Sequence, residues 1–265
     1  MTLVSTDWLS KNLDEVKIID ASWHLVKNRN AAKEYEKEHI ENAFFFDLDK
    51  NSNHSKELPH GHYLPSLDDH KKSVSKMGIS NSDKIIIYCC SDLISSCRAW
   101  FQFLYFGHNP NLVSVLDGGM KKWKLENRKV TNSKTKIISS NYKARENKNM
   151  IKIKSQIDKN IKKKEFTVID ARSKKRFLGI DSEPRPGIKS GSIEGSKSVP
   201  LSEIINLKDN TFLDTKKLIN IFNLNEINSN KIVMSCGSSV SAASLALAYS
   251  LINDDYIPKI YIGSW

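Results

Sequence analysis

The sequence predicts an α/β protein made of one unit used twice, and three observations point there. Four segments recur in the same order. Ile18-Ile19-Asp20-Ala21-Ser22 returns as Val168-Ile169-Asp170-Ala171-Arg172, and His39-Ile40-Glu41-Asn42-Ala43 as Ser192-Ile193-Glu194-Gly195-Ser196. Asp83-Lys84-Ile85-Ile86-Ile87-Tyr88-Cys89 returns as Asn230-Lys231-Ile232-Val233-Met234-Ser235-Cys236, and Val115-Leu116-Asp117-Gly118-Gly119 as Ile260-Tyr261-Ile262-Gly263-Ser264. The offsets drift only between 145 and 153, the mark of a duplicated domain of about 120 residues. The second observation is a set of short Ile- and Val-rich runs, suited to strands covered on both faces of a parallel sheet. The third is the helical pattern between them, and strand–helix alternation builds a layered α/β domain.

In chain order, residues 17–19 form the first such run, ending at Asp20. Residues 68–77 carry a helical pattern closed by Gly78, and 85–88 are a continuous apolar strand. Residues 95–106 form a second helix closed by Gly107, and 113–116 another strand. Residues 128–150 are polar, basic and almost free of apolar periodicity, which reads as a linker. Beyond it, 167–169 and 231–234 repeat the strand pattern, and 242–252 form a helix of small and apolar residues. The expected organisation is therefore a unit at 1–127, a basic linker at 128–150 and a second unit at 151–265.

The charge is unevenly spread over this frame. The net charge is +11, divided as −1 over residues 1–127 and +6 each over 128–150 and 151–265. A basic half can attract nucleic acid, an acidic membrane or small anions. No aromatic-plus-basic stripe or nucleic-acid motif accompanies the charge, so no nucleic-acid partner is expected. The apolar run at 242–252 is far shorter than the roughly 20 residues a membrane helix needs, so no membrane partner is expected either. The N-terminal residues lack a basic stretch followed by an apolar core. Four cysteines (Cys89, Cys90, Cys97, Cys236) are too few for a disulfide framework, and their spacing lacks a paired zinc-site pattern. A reduced, cytoplasmic protein without a metal or organic cofactor is the expectation.

The sharpest constellation is Met234-Ser235-Cys236-Gly237-Ser238-Ser239-Val240-Ser241-Ala242. A buried strand ends, a cysteine follows, and a loop of small residues leads into a helix. Small side chains let successive backbone N–H groups turn inward at a helix N-terminus. A thiol held there is expected to ionise more easily than free cysteine. The residue six after Cys236 is Ala242, so the arginine that closes a C-x5-R phosphatase loop is missing.

The chain resembles the tandem-domain rhodanese superfamily of sulfurtransferases, in its 3-mercaptopyruvate branch. The likeness runs through Asp20-Ala21-Ser22-Trp23, Phe45-Phe46-Asp47-Leu48-Asp49, Phe106-Gly107-His108, Val115-Leu116-Asp117-Gly118-Gly119, Asp170-Ala171-Arg172, Glu183-Pro184-Arg185-Pro186-Gly187 and Gly263-Ser264-Trp265. The loop Cys236-Gly237-Ser238-Ser239-Val240-Ser241-Ala242 is similar to the Cys-Gly-Ser-Gly-Val-Thr-Ala loop of that branch, whereas thiosulfate-using members usually carry basic residues there. The resemblance implies two rhodanese-like domains, each a mostly parallel sheet flanked by helices, the second being catalytic. It implies that Cys236 carries a persulfide and that Arg176 and Arg185 bind the donor's carboxylate and keto group. A guanidinium fork suits a carboxylate, and these are two of only seven arginines. It implies that Ser238 works with a histidine and Asp49 of the first domain. The histidine falls in Leu58-Pro59-His60-Gly61-His62-Tyr63-Leu64-Pro65, where Leu64-Pro65 selects His62 and Pro59 selects His60; His62 is preferred. Partners implied are a small anionic sulfur donor and, as acceptor, a small thiol, a thioredoxin-like protein or cyanide.

Three departures from the family pattern stand out. Ser239 replaces a loop glycine, tolerable only if that position does not need positive φ. Ile262 replaces an aspartate, and the sequence stops at Trp265 where relatives continue briefly. In the first unit Cys89 takes the place of Cys236, but Cys90-Ser91-Asp92-Leu93-Ile94 follows it, a poor cradle for a thiolate. Cys89 is therefore read as a buried structural thiol, with a resolving cysteine as the lesser alternative. The competing functional readings are thiosulfate:cyanide sulfur transfer and a non-enzymatic binding module.

Overall fold

The computed structural model describes residues 2–25, 28–53, 62–184, 187–227 and 229–265. The first unit holds strands β1 (Leu3–Val4), β2 (Lys17–Asp20), β3 (Ala43–Phe45), β4 (Ile85–Tyr88) and β5 (Val113–Leu116). Its helices are α1 (Thr6–Ser10), α2 (Ala31–Lys37), α3 (Leu67–Lys76), α4 (Ser96–Tyr105) and α5 (Gly119–Leu125). The second unit holds β6 (Ile151–Lys152), β7 (Thr167–Asp170), β8 (Lys197–Ser198), β9 (Ile232–Ser235) and β10 (Ile260–Tyr261). Its helices are α6 (Lys154–Lys163), α7 (Lys174–Phe177), α8 (Leu201–Ile204), α9 (Thr215–Leu224) and α10 (Val240–Ser250).

Each sheet has five strands, ordered β1-β5-β4-β2-β3 and β6-β10-β9-β7-β8, and every pairing is parallel. Replacing each strand of the first by its counterpart in the second gives the same order, so the duplication read from the sequence is a duplication of topology. The central strands β4 and β9 are buried along their whole length, as expected for apolar runs covered by helices on both faces.

The internal repeat extends to single hydrogen bonds. Met120 N–H donates to Cys89 O and Trp265 N–H to Cys236 O, both at 3.0 Å. Gly119 (φ +51°) and Ser264 (φ +56°) take equivalent left-handed positions just before those donors. A Cβ on Gly119 would stand 2.5 Å from Cys89 O, which is why Asp117-Gly118-Gly119 needs its second glycine. Likewise Ser22 N–H and Arg172 N–H each donate to the aspartate two residues earlier, at 2.9 Å.

The two units meet along α4 and α10, which pack against each other. Helix α10 is buried from Val240 to Tyr249 apart from Ser241, without a polar face, because the other unit covers it. Ser244 Oγ donates across the junction to Leu93 O and Ile94 O at 3.3 Å. A second contact joins Phe212 N–H to Asp117 Oδ1 at 2.9 Å, and Lys121 Nζ to Leu207 O at 2.6 Å.

Residues 128–150 contain little regular structure, yet they are strapped to the first unit. Thr131 forms an antiparallel bridge with His39. Ser140 N–H donates to Ser75 O (2.9 Å), Arg145 N–H to Phe106 O (3.0 Å) and Asn147 N–H to Tyr105 O (2.7 Å). Tyr142 is fully buried there.

Candidate active site

Strand β9 ends at Ser235, and Cys236 follows at the point where the chain turns into α10. The loop runs beneath the first turn of α10, so backbone N–H groups converge on the sulfur; that of Ser238 lies 3.5 Å from Sγ. Cys236 is only 2% exposed. Burial pushes its thiol above the ordinary range, and the N–H groups of Ser238, Ala242 and Ser239 pull it back only in part. The expectation of a readily ionised thiol is thus corrected. The nest is present, but desolvation outweighs it, so the thiol is pushed above its ordinary range rather than below it.

Ser239 sits at φ +63°, in the left-handed region. The sequence reading accepted a serine here only if positive φ was not required, and the structure requires it. Ser239 Oγ lies within hydrogen-bonding distance of Tyr261 O (3.4 Å) and Ser264 Oγ (3.3 Å), contacts that hold a conformation costing roughly 1 kcal/mol for a residue with a Cβ.

A cleft of about 270 Å³ opens over Cys236, Gly237, Ser238 and Ser241. Leu25, Asp92 and Leu93 of the first unit line it, facing Arg172, Arg176 and Glu183 of the second. The arginine wall is one network. Arg172, 2% exposed, grips Asp170 through Nε (3.0 Å) and Nη2 (2.6 Å) and Glu183 Oε1 through Nη1 (2.7 Å). Arg176 reaches Glu183 through Nε (3.1 Å) and Nη2 (2.5 Å). Burial pushes the Glu183 carboxyl up, and the two guanidiniums outweigh it, leaving the group below its ordinary value. Arg176 is held directly over the loop, since a Cβ added to Gly237 would meet its Nη2 at 2.9 Å. The glycine after the cysteine therefore makes room for the arginine. Arg185 lies outside the described residues.

On the side of the first unit, His62 Nε2 and Asp49 Oδ1 are 2.9 Å apart, and Trp23 Nε1–H donates to the same oxygen at 3.1 Å. The Trp23 ring packs edge-on against the His62 ring, with centroids 4.5 Å apart. His62 thus forms the expected pair with Asp49; the alternative, His60, lies outside the described residues. Arg98 Nη2 donates to His62 O at 2.8 Å. Cys89 is buried, its Sγ 3.4 Å from Ser96 Oγ, as a structural thiol would be.

Sequence reasoning missed two members of this site and a buried arginine that bonds to His62. Arg172 and Glu183 were read only as parts of motifs, although they fix Arg176. Arg98 was not singled out at all. It comes from α4 and is 1% exposed, and its Nε and Nη1 find no hydrogen-bond partner among the described residues. Burial pulls its guanidinium down to about 10, so it stays cationic at neutral pH, and a charge on Cys236 would favour its cationic form. An arginine inside the apolar run Cys97-Arg98-Ala99-Trp100-Phe101, in a chain with 34 lysines and seven arginines, was the available signal.

The Rhodanese-like domain family matches residues 5–126. A thiosulfate/3-mercaptopyruvate sulfurtransferase of Arabidopsis thaliana, named as mitochondrial, is 35% identical over 99% of this chain and 74% of its own. Human 3-mercaptopyruvate sulfurtransferase is 32% identical over 99% of this chain and 90% of its own. Among solved structures, the 3-mercaptopyruvate sulfurtransferase SseA of Escherichia coli superposes with a TM-score of 0.88 at 29% identity, covering 100% of this chain and 99% of that one. The duplicated parallel sheets, the cysteine at the head of α10 and these full-length likenesses agree: the chain belongs to the tandem-domain rhodanese superfamily, in the branch of the 3-mercaptopyruvate sulfurtransferases.

Proposed function

We propose that the chain moves sulfur from 3-mercaptopyruvate to a thiol or cyanide acceptor through a persulfide on Cys236. The observation that carries this reading is Cys236 on the floor of a cleft directly beneath Arg176, in a loop with no basic side chain. A guanidinium set back from the sulfur suits a carboxylate at the far end of the donor. A loop built for the thiosulfate dianion would put positive charge beside the sulfur itself.

The reaction begins with loss of the Cys236 proton, for which Ser238 with His62 and Asp49 behind it forms the route. The thiolate attacks the sulfur of mercaptopyruvate. The carbon–sulfur bond breaks, its electron pair stays on carbon as the enolate of pyruvate, and protonation at that carbon releases pyruvate. The outer sulfur remains as Cys236 persulfide, stabilised by the loop N–H groups from Gly237 to Ala242. Arg176 and Arg185 hold the carboxylate and keto oxygen meanwhile. An acceptor thiolate then attacks the outer sulfur and regenerates Cys236, completing a ping-pong cycle.

The division into a non-catalytic unit at 1–127, a connector at 128–150 and a catalytic unit at 151–265 belongs to this proposal. So does a cytoplasmic, reducing location, supported by four free cysteines. The decisive measurement is mass spectrometry after exposure to donor. One added sulfur on Cys236, with pyruvate release lost in Cys236→Ser, is expected. Undiminished pyruvate release from that variant sinks the mechanism, and a higher kcat/KM for thiosulfate than for mercaptopyruvate overturns the choice of donor.

A further inference from the structure

In the first unit, one residue beyond the counterpart of Cys236, three side chains of different chemistry converge. Cys90 Sγ lies 3.0 Å from Glu34 Oε2, His24 Nε2 lies 3.0 Å from the same oxygen, and Sγ and Nε2 are 3.8 Å apart. Sulfur, imidazole nitrogen and carboxylate oxygen thus occupy the corners of one small triangle. Tetrahedral zinc with ordinary bond lengths of about 2.3 Å to sulfur and 2.0–2.1 Å to nitrogen and oxygen sets its ligand atoms about 3.3–3.6 Å apart. The observed edges bracket that range, so a shift of a few tenths of an ångström per side chain completes three corners.

We propose that His24, Glu34 and Cys90 form a binding site for a borderline divalent cation, zinc above all, in the unit that does not carry the catalytic cysteine. The donor set decides the metal class, because thiolate plus imidazole plus carboxylate suits zinc and excludes calcium and magnesium. Linear spacing hides the site, since its members stand at positions 24, 34 and 90 on three different segments.

Without a metal the centre of the triangle is served by the Cys90 proton, which the thiol donates to Glu34. Burial first, and that carboxylate second, keep the thiol protonated. Metal binding exchanges one cation for another: a zinc–sulfur bond forms, the sulfur–hydrogen bond breaks, and one proton leaves to solvent. The His24 ring is 4% exposed and the Glu34 side chain 34% exposed, which leaves the carboxylate side for entry and for a water as fourth ligand.

Arg29 opposes the site and orients it at once. Its Nε holds Glu34 Oε1 at 2.8 Å and its Nη2 holds Oε2 at 2.7 Å. Nη2 also approaches Cys90 O (3.4 Å) and Cys90 Sγ (3.7 Å). A carboxylate can stay bound to the guanidinium through Oε1 while Oε2 ligates, a familiar outer-shell arrangement. The cost is a cation beside a cation, so the affinity is limited and removal of Arg29 tightens it.

The test uses the full chain carrying Cys236→Ser, so that the catalytic thiol cannot bind the probe. Titration with zinc chloride, followed by calorimetry, is expected to give one equivalent per chain. Cobalt chloride is expected to give a thiolate charge-transfer band and intense visible bands of a tetrahedral ion. Cys90→Ser and His24→Gln should each weaken zinc binding by on the order of tenfold or more, and Arg29→Gln should strengthen it. A readout that needs no further variant is alkylation, because zinc should protect Cys90 from N-ethylmaleimide while leaving a denatured control fully labelled. Absence of stoichiometric binding, or binding indifferent to both Cys90→Ser and His24→Gln, overturns the proposal.

Discussion

A buried guanidinium without a carboxylate costs several kcal/mol unless an anion stands nearby. Arg98 is such a group, and the Cys236 sulfur, once ionised, is the charge that acts on it. Burial also holds the Cys236 thiol up, so a cation acting on the sulfur favours its ionised form. Removing the cation disfavours the thiolate, so the thiol must titrate at higher pH. In Arg98→Met the pH midpoint for iodoacetamide alkylation of Cys236 should rise. Activity near neutrality should fall with it, while Arg98→Lys should restore most of the midpoint. A purely structural arginine would leave the midpoint of the Met variant where it was, and that result would exclude the electrostatic role. Arg98 and Cys236 are far apart in the chain, so no local pattern could announce the pair. Only the scarcity of arginine hinted at it.

At the level of elements, two helices end on glycines with a second duty. Gly78 (φ +70°) closes α3 and Gly107 (φ +82°) closes α4, and the connecting segment crosses both. A Cβ on Gly78 would stand 2.4 Å from Ile138 O, against 3.0 Å from Arg145 O at Gly107. Both alanine variants meet the left-handed penalty of about 1–2 kcal/mol. Gly78→Ala must also push a backbone carbonyl aside, so about 2–3 kcal/mol is expected for it and about 1–2 for Gly107→Ala. Urea midpoints measure the order, and equal or reversed losses would mean that the strap is not what Gly78 accommodates. The helix stops were legible because glycine at a helix C-terminus is a local signal, and the central strands because burial on both faces leaves an unbroken apolar run. The strap was not legible, since its backbone bonds carry no residue signature and its side-chain bonds, such as Thr135 Oγ1 to Ala43 O and Asn81 to Lys143, join residues distant in sequence. Ser239 failed for a related reason: the loop accepts a strained serine because Tyr261 and Ser264, distant in sequence, hold its hydroxyl.

For the whole molecule, the central question is whether the catalytic half is complete by itself. The net charge of +6 on residues 151–265, opposite a unit at −1, fits an anion-attracting half, and Cys236, Arg172, Arg176 and Glu183 all reside there. The cleft nevertheless takes Leu25, Asp92 and Leu93 from the other unit, which also holds Arg98 and the His62–Asp49 pair proposed for the reaction. Helix α10, which begins just past Cys236, is apolar all round and is covered on one side by α4 and the Leu93-Ile94 turn of the other unit. Exposing that face would leave a contiguous apolar patch of the kind that drives association. A fragment of residues 151–265 should therefore aggregate or lack a cooperative unfolding transition, and should release no pyruvate from mercaptopyruvate. In the full chain, calorimetry should record one transition rather than two, because the α4–α10 contact couples the units. A soluble, monomeric fragment with near-normal turnover would show that the first unit is dispensable, and with it the assignment of His62, Asp49 and Arg98 to the reaction.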